Sequence, residues 1–368
     1  MVSLIIFLGV GLLCGLIGGA YLSRRMLASM LAGGRYMDRT TFMLWPMLLT
    51  LIMVYAAMFL QIIVHEGGHL VFGYISGYDF VSFRIASLIL IKTEDGLKLK
   101  RFSIAGTGGQ CLMSPPNMVD GKIPVMLYNF GGSLLNIIIS TLAVSIWVLI
   151  RGTGVGTFLL IFALIGYGFA AVNGIPMKMG MVNNDGYNAM NLSKDKTAVR
   201  AFWLMLKINA LQASGLRLRD MPDEYFVLPD KADMSNSLVA GYSPYVFSRC
   251  VDMGDFDAAI DAGKFIMENG DALVPVNMNG LKGELMFLEL IGENRDEVIN
   301  SLYSKELMKA LKVSKTQPAA LRCVYAYELK RGDAKTAEKY LKLFNKSLEK
   351  FPNSGEIEAE RELMALVK

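Results

Sequence analysis

The chain holds two histidines, four residues apart in His65-Glu66-Gly67-Gly68-His69, at the end of a long apolar run. Residues at i and i+4 share a helix face, so both imidazoles can reach one ion. That spacing suits Zn²⁺, with Glu66 placed to take a proton from a water activated by the metal. A catalytic zinc site uses three protein ligands. With no third histidine, the last ligand must be another residue type. Histidines in an apolar helix can also be satisfied core residues. Here, however, both histidines fall in the pattern, and Glu66 is a carboxylate in an apolar helix, a costly placement that usually marks function.

The elements that must position these residues are apolar. Of 368 residues, 53% are hydrophobic and 19% charged, with a mean hydropathy of +0.39. The apolar content is concentrated in the first half. A helix of about 20 apolar residues spans a bilayer, and four segments qualify, at 3–22, 42–64, 123–150 and 155–177. The first lacks the charged start and cleavage site of a signal peptide. Its Gly11, Gly15 and Gly19 recur every four residues, a spacing that admits a close neighbouring helix or is simply tolerated in a membrane. Cys14, Cys111, Cys250 and Cys323 are scattered singly, so neither a zinc ribbon nor a disulfide framework is indicated. No basic run with interleaved aromatics points to nucleic acid.

The second span continues as helix through His69 to about Tyr74, where Gly77 breaks it. Runs 86–92 and 97–103 then flank Thr93-Glu-Asp-Gly96, which predicts a β-hairpin. Its edge is suited either to holding an extended segment by strand addition or to shielding the site. The second and fourth spans have one crossing between them, so their C-terminal ends emerge on the same face. His65, His69 and Asp185 can meet there. The acids before residue 180 are Asp38, Glu66, Asp79, Glu94, Asp95 and Asp120. Glu66 has another role and most others fall in predicted loops, which leaves Asp185 as the best third ligand. An Asp-Gly after a helix is otherwise an ordinary turn.

Three ordered motifs resemble the site-2 protease family of intramembrane zinc metalloproteases: His65-Glu-Gly-Gly-His69, Gly131-Gly-Ser-Leu-Leu-Asn136, and Asn173-Gly-Ile-Pro176 followed by Asp185-Gly186. The likeness covers about residues 42–190. It departs from the family at Gly132, where proline is common, and in the long interval from Pro176 to Asp185. The resemblance implies peptide-bond hydrolysis in or near transmembrane segments of membrane-protein substrates, as in regulated intramembrane proteolysis. His65, His69 and Asp185 would hold Zn²⁺ and Glu66 would be the catalytic base. Asn136 and Asn173 would position substrate or contact the oxyanion, or else make helix–helix hydrogen bonds. Gly67 and Gly68 would leave room for a substrate backbone or for close helix packing.

Arg84, Lys92, Lys98, Lys100, Arg101 and Lys122, with Lys178, Lys194, Lys196 and Arg200, share the face of the site. By the positive-inside rule that face is cytoplasmic, which implies a protein of the cell membrane with its C-terminal part inside. Arg24, Arg25, Arg35 and Arg39 then lie on the opposite side unless the first segment does not cross.

After Gly186 the character changes. Residues 197–212 read as an amphipathic helix, lying on the membrane surface or opening the next domain, and 220–237 as a polar linker. From 243, Gly254-Asp, Gly292-Glu and Gly332-Asp recur at intervals of 38 and 40 residues, each between helical patterns. This resembles tetratricopeptide repeats and implies a surface for a protein or peptide partner; a plain helical bundle is the alternative. The expected architecture is an α-helical membrane protein of about four spans, with a small β-hairpin after the active-site helix and an all-α helical-repeat domain. Its parts are residues 1–41, a zinc-protease core at 42–196, a connecting helix and linker at 197–242, and a tetratricopeptide-like domain at 243–368. The competing readings are a catalytically silent scaffold that binds partners through its repeats, and a transporter whose His–Glu pair lines an ion path.

Overall fold

The computed structural model describes residues 2–31, 39–93, 96–104, 107–179 and 182–367. The chain folds as two compact units. One comprises Met1–Gly77, Pro124–Met179 and Asn183–Asn191; the other comprises Tyr78–Ile123, Gly180–Val182 and Leu192–Lys368.

The first unit is helical: α1 (Val2–Leu31), α2 (Arg39–Ile75), α3 (Val125–Ile150), α4 (Gly154–Gly174) and the short α5 (Asp185–Asn191). A helix satisfies its own backbone, which lipid cannot do. Leu44–Ile75, Val125–Ile150 and Gly154–Gly174 are long and apolar enough to cross a membrane. The first expected span, at 3–22, is helical too, but only Gly9–Tyr21 is seen as its apolar stretch, and the side chains before Gly9 lie outside the described residues. A Cβ at Gly11, Gly15 or Gly19 would meet nothing within 4 Å among the described residues. Gly18 does the packing instead, where a Cβ would fall 2.6 Å from the Thr50 side chain on α2.

Glycines set the crossing that matters most. A Cβ at Gly68 would lie 2.2 Å from the carbonyl oxygen of Gly131, and one at Gly131 would lie 2.6 Å from that of Gly68. The α2 and α3 backbones therefore touch at the histidine motif, an approach that larger residues forbid.

In the second unit, β1 (Asp79–Ile85), β2 (Leu88–Thr93), β3 (Gly96–Arg101) and β4 (Gly109–Ser114) form an antiparallel sheet in the order β3-β2-β1-β4. The expected hairpin is β2–β3, with Leu90 opposite Leu99; its turn residues Glu94 and Asp95 lie outside the described residues. Strands β1 and β4 extend it on the other side. They escaped sequence reading because β4 emerges from a glycine-rich stretch and β1 shows no clean alternation.

Helix α6 (Lys196–Ala213) buries Val199, Phe202, Trp203 and Ile208, and Trp203 donates to the carbonyl of Pro116 at 2.8 Å. Its apolar face is thus a core element of this unit and does not lie free on a membrane surface. The expected linker is short 3-10 turns that bury Met221, Phe226 and Met234. Helices α7 (Ser237–Met253), α8 (Phe256–Asn269), α9 (Pro275–Ile291), α10 (Asp296–Leu302), α11 (Lys305–Val313), α12 (Pro318–Lys330), α13 (Ala334–Leu348) and α14 (Ser354–Ala365) follow. They enclose a core around Phe247, Ile266, Phe287, Leu321 and Phe344. Two of the three anticipated turns join helix pairs alike. Gly254 and Gly332 take positive φ, and Asp255 and Asp333 cap α8 and α13 by accepting from Ala258 and Thr336. At the third, Gly292 keeps a negative φ and the chain breaks into the short α10 and α11. The sheet, expected with the membrane core, belongs to the same unit as these helices.

Candidate metal centre

His65 and His69 lie on α2, and Asp185 opens α5 after α4 has ended. The structure brings these three residues of distant sequence together. His65 Nε2 is 3.2 Å from Asp185 Oδ2, His69 Nε2 is 3.4 Å from the same oxygen, and the two Nε2 atoms are 3.3 Å apart. Tetrahedral zinc with bonds of about 2.0–2.1 Å has ligand–ligand edges of about 3.3 Å. The triangle is therefore one face of such a tetrahedron, and the group could hold a metal ion.

The hydrogen bonds around the rings fix where their protons sit. The Tyr128 carbonyl can only accept, so His69 Nδ1, 2.9 Å away, carries a proton. His65 is held through a longer chain. The Phe162 carbonyl accepts from Gln61 Nε2 at 2.9 Å, which leaves Gln61 Oε1 to accept from Asn136 Nδ2 at 2.6 Å. Asn136 Nδ2 also donates to the Gln61 carbonyl, so Asn136 Oδ1 faces His65 Nδ1 at 2.8 Å and accepts its proton. Both rings then present an Nε2 lone pair to the carboxylate. Three lone pairs converging at these distances repel one another unless a proton or a metal cation lies among them, and imidazole nitrogens with a carboxylate oxygen are a donor set that suits zinc.

Asn184, buried beside Asp185, ties α5 to the end of α4. Its Nδ2 donates to the carbonyls of Val172 and Ile175, and its Oδ1 accepts from the amides of Met177 and Tyr187. A Cβ at Gly186 would fall 2.1 Å from the Gly174 carbonyl, so only glycine lets the two helices meet there. These contacts explain how Asp185 reaches the histidines despite its long interval from Pro176.

The remaining sequence candidates take distinct places. Glu66 follows His65 directly on α2 and is half-buried. Asn136 is fully buried against His65, whereas Asn173 donates to Phe169 within its own helix. At Gly132, a Cβ would lie 2.4 Å from the His65 ring; this chain needs glycine there to accommodate the imidazole. Sequence reading missed Gln61 and Asn184. Gln61 is a polar residue in an apolar helix one turn before His65, and Asn184 is a helix cap, so each left a local signal. No protein-family model, curated protein or solved structure matches this chain.

Proposed function

We propose that the protein is an intramembrane zinc metalloendopeptidase that cleaves membrane-protein substrates in or near their transmembrane segments. The observation that carries this reading is the triangle of His65 Nε2, His69 Nε2 and Asp185 Oδ2 at tetrahedral spacing, its histidines and the accompanying Glu66 on a helix apolar enough to span a bilayer and Asp185 just after another. Zinc, when bound, supplies a Lewis acid that polarises a carbonyl and makes water acidic. Glu66 takes the proton of the attacking water and delivers it to the leaving amine. Asn136 and Gln61 hold the proton on His65 Nδ1, and the Tyr128 carbonyl holds that on His69. By the positive-inside rule, the basic residues following α2 and α4 support a site that faces the cytoplasm at the cell membrane. The helical region after residue 243 offers a surface for a protein or peptide partner and recruits substrate.

The test is cleavage of a panel of single-span membrane substrates by purified protein, wild type against Glu66→Gln, with zinc measured on both. The reading requires about one zinc per chain in each and cleavage by wild type alone, the variant falling by about 10²-fold or more. A well-folded, metal-replete protein without zinc defeats it.

A further inference from the structure

The second unit contains a pocket of about 410 Å³ that has no part in the metal centre. That volume is in the range of small-molecule sites. We infer that the pocket binds an organic cation with an apolar body, its ammonium or guanidinium group seated on Glu356.

One wall is the sheet face that presents Ile89, Ile91 and Leu112, with Phe102 and Phe351 beside them. This wall suits an alkyl or aryl body. The facing wall comes from α6, α7, α9, α12 and α14 and is charged. Its carboxylates are Asp252, Glu284, Glu356 and Glu360, against the arginines Arg217 and Arg322. Both arginines are already matched. Arg322 donates to Glu284 and Glu360, and Arg217 to Asp252 and Glu362. Lys100 on β3 is engaged with the carbonyls of Phe351 and Pro352.

Glu356 is the exception. Only two amides approach its carboxylate, Gln212 at 3.5 Å and Asn353 at 3.3 Å, and it has no ion pair among the described residues. The N-terminus of α14, in whose first turn Glu356 lies, and the two amides moderate this charge but do not neutralise it, and a carboxylate without a counter-charge in a partly apolar cavity is costly. A cationic occupant supplies the missing charge while its body covers the apolar wall. Burial, together with Glu360, Asp252 and Glu284, pushes the Glu356 carboxyl up to about 7. At neutral pH the free pocket therefore carries a fraction of a proton that a bound cation must expel. Binding releases protons and tightens as pH rises from 6 to 8, where an alkylamine stays charged.

The experiment is calorimetric titration of the full-length protein in detergent, in two buffers of different ionisation enthalpy. The probes are isoamylamine, its neutral counterpart isoamyl alcohol, and Nα-acetyl-lysine methylamide. At least one amine binds about tenfold or more tightly than the alcohol, with release of roughly half a proton at pH 7. Glu356→Gln keeps the side-chain shape and removes both the preference and the proton release. Binding of acetyl-lysine methylamide alone assigns the pocket to a basic side chain of a peptide, and binding of isoamylamine alone to a free amine. The inference is overturned by no binding of either amine up to about 10 mM, by equal binding of amine and alcohol, or by undiminished binding to Glu356→Gln. None of these outcomes depends on zinc content.

Discussion

His65 and His69 are the same residue type on one helix face, yet different neighbours set their protons. His69 relies on a backbone carbonyl, which no substitution removes. His65 relies on two side chains, Asn136 and Gln61. Asn136→Leu therefore frees the His65 ring to rotate or change tautomer, and Gln61→Leu frees the Asn136 amide to flip. Each is expected to weaken zinc affinity by about 10–100-fold, measured by competition with a chromophoric chelator. Gln61→Leu with unchanged zinc affinity would show the chain to be a helix-packing contact only. Glu356 makes a second residue-scale prediction. Its folded pKa of about 7 lies above its ordinary 4.5, so the folded state binds more protons between those values. Its contribution to stability thus falls as pH rises from about 4.5 to about 7 and stays low above. Glu356→Gln removes this loss. The thermal midpoint of the variant, compared with wild type, should gain at pH 8 relative to pH 5.

At the scale of elements, the α2–α3 crossing decides whether the imidazoles face their partners. Gly68 and Gly67 are neighbours with opposite expectations. Gly68→Ala drives a methyl into the Gly131 backbone and costs roughly 3 kcal/mol, with a loss of zinc affinity because Tyr128 shifts away from His69. Gly67 meets only Leu135 Cδ2, at 3.8 Å. Gly67→Ala is therefore tolerated and gains up to about 1 kcal/mol of helix propensity. Thermal unfolding in detergent separates the two, and a loss of cleavage by a stable Gly67→Ala would place substrate against that face. The glycine repeat of α1 is the opposite lesson. Its spacing suggested a contact, but the close approach falls at Gly18, because the facing residue decides which glycine is needed, and nothing in α1 names Thr50.

At the scale of the whole molecule, the second unit is joined by charge as well as apolar packing. Arg322, on α12, is fully buried and holds Glu284 of α9 and Glu360 of α14. Arg322→Leu strands two carboxylates and is expected to cost about 3–5 kcal/mol, read as a lower denaturation midpoint with zinc content unchanged. Loss of zinc in this variant would show that the two units depend on each other for folding. The sheet belongs to this unit although the chain enters it directly from α2 and leaves it directly into α3. A truncation near residue 240 therefore removes packing from α6 and the sheet, so single substitutions test the helices more cleanly.

The sequence alone determined the local features. Apolar runs longer than a bilayer is thick must be helices, His-Glu-x-x-His puts two ligands on one face, an Asp-Gly between β-rich runs makes a hairpin, and Gly-Asp ends one helix and caps the next. Each depends on residues within a few positions of one another. Tertiary structure decided what depends on distant partners: the meeting of Asp185 with the two histidines, 3.2 and 3.4 Å away, through Asn184, the Gln61–Asn136 chain that sets a ring proton, the sheet's place beside the helices, and the unpaired state of Glu356. Hydropathy and spacing register burial and period, but the direction of a hydrogen bond or the balance of charge in a cavity exists only once separate segments have packed.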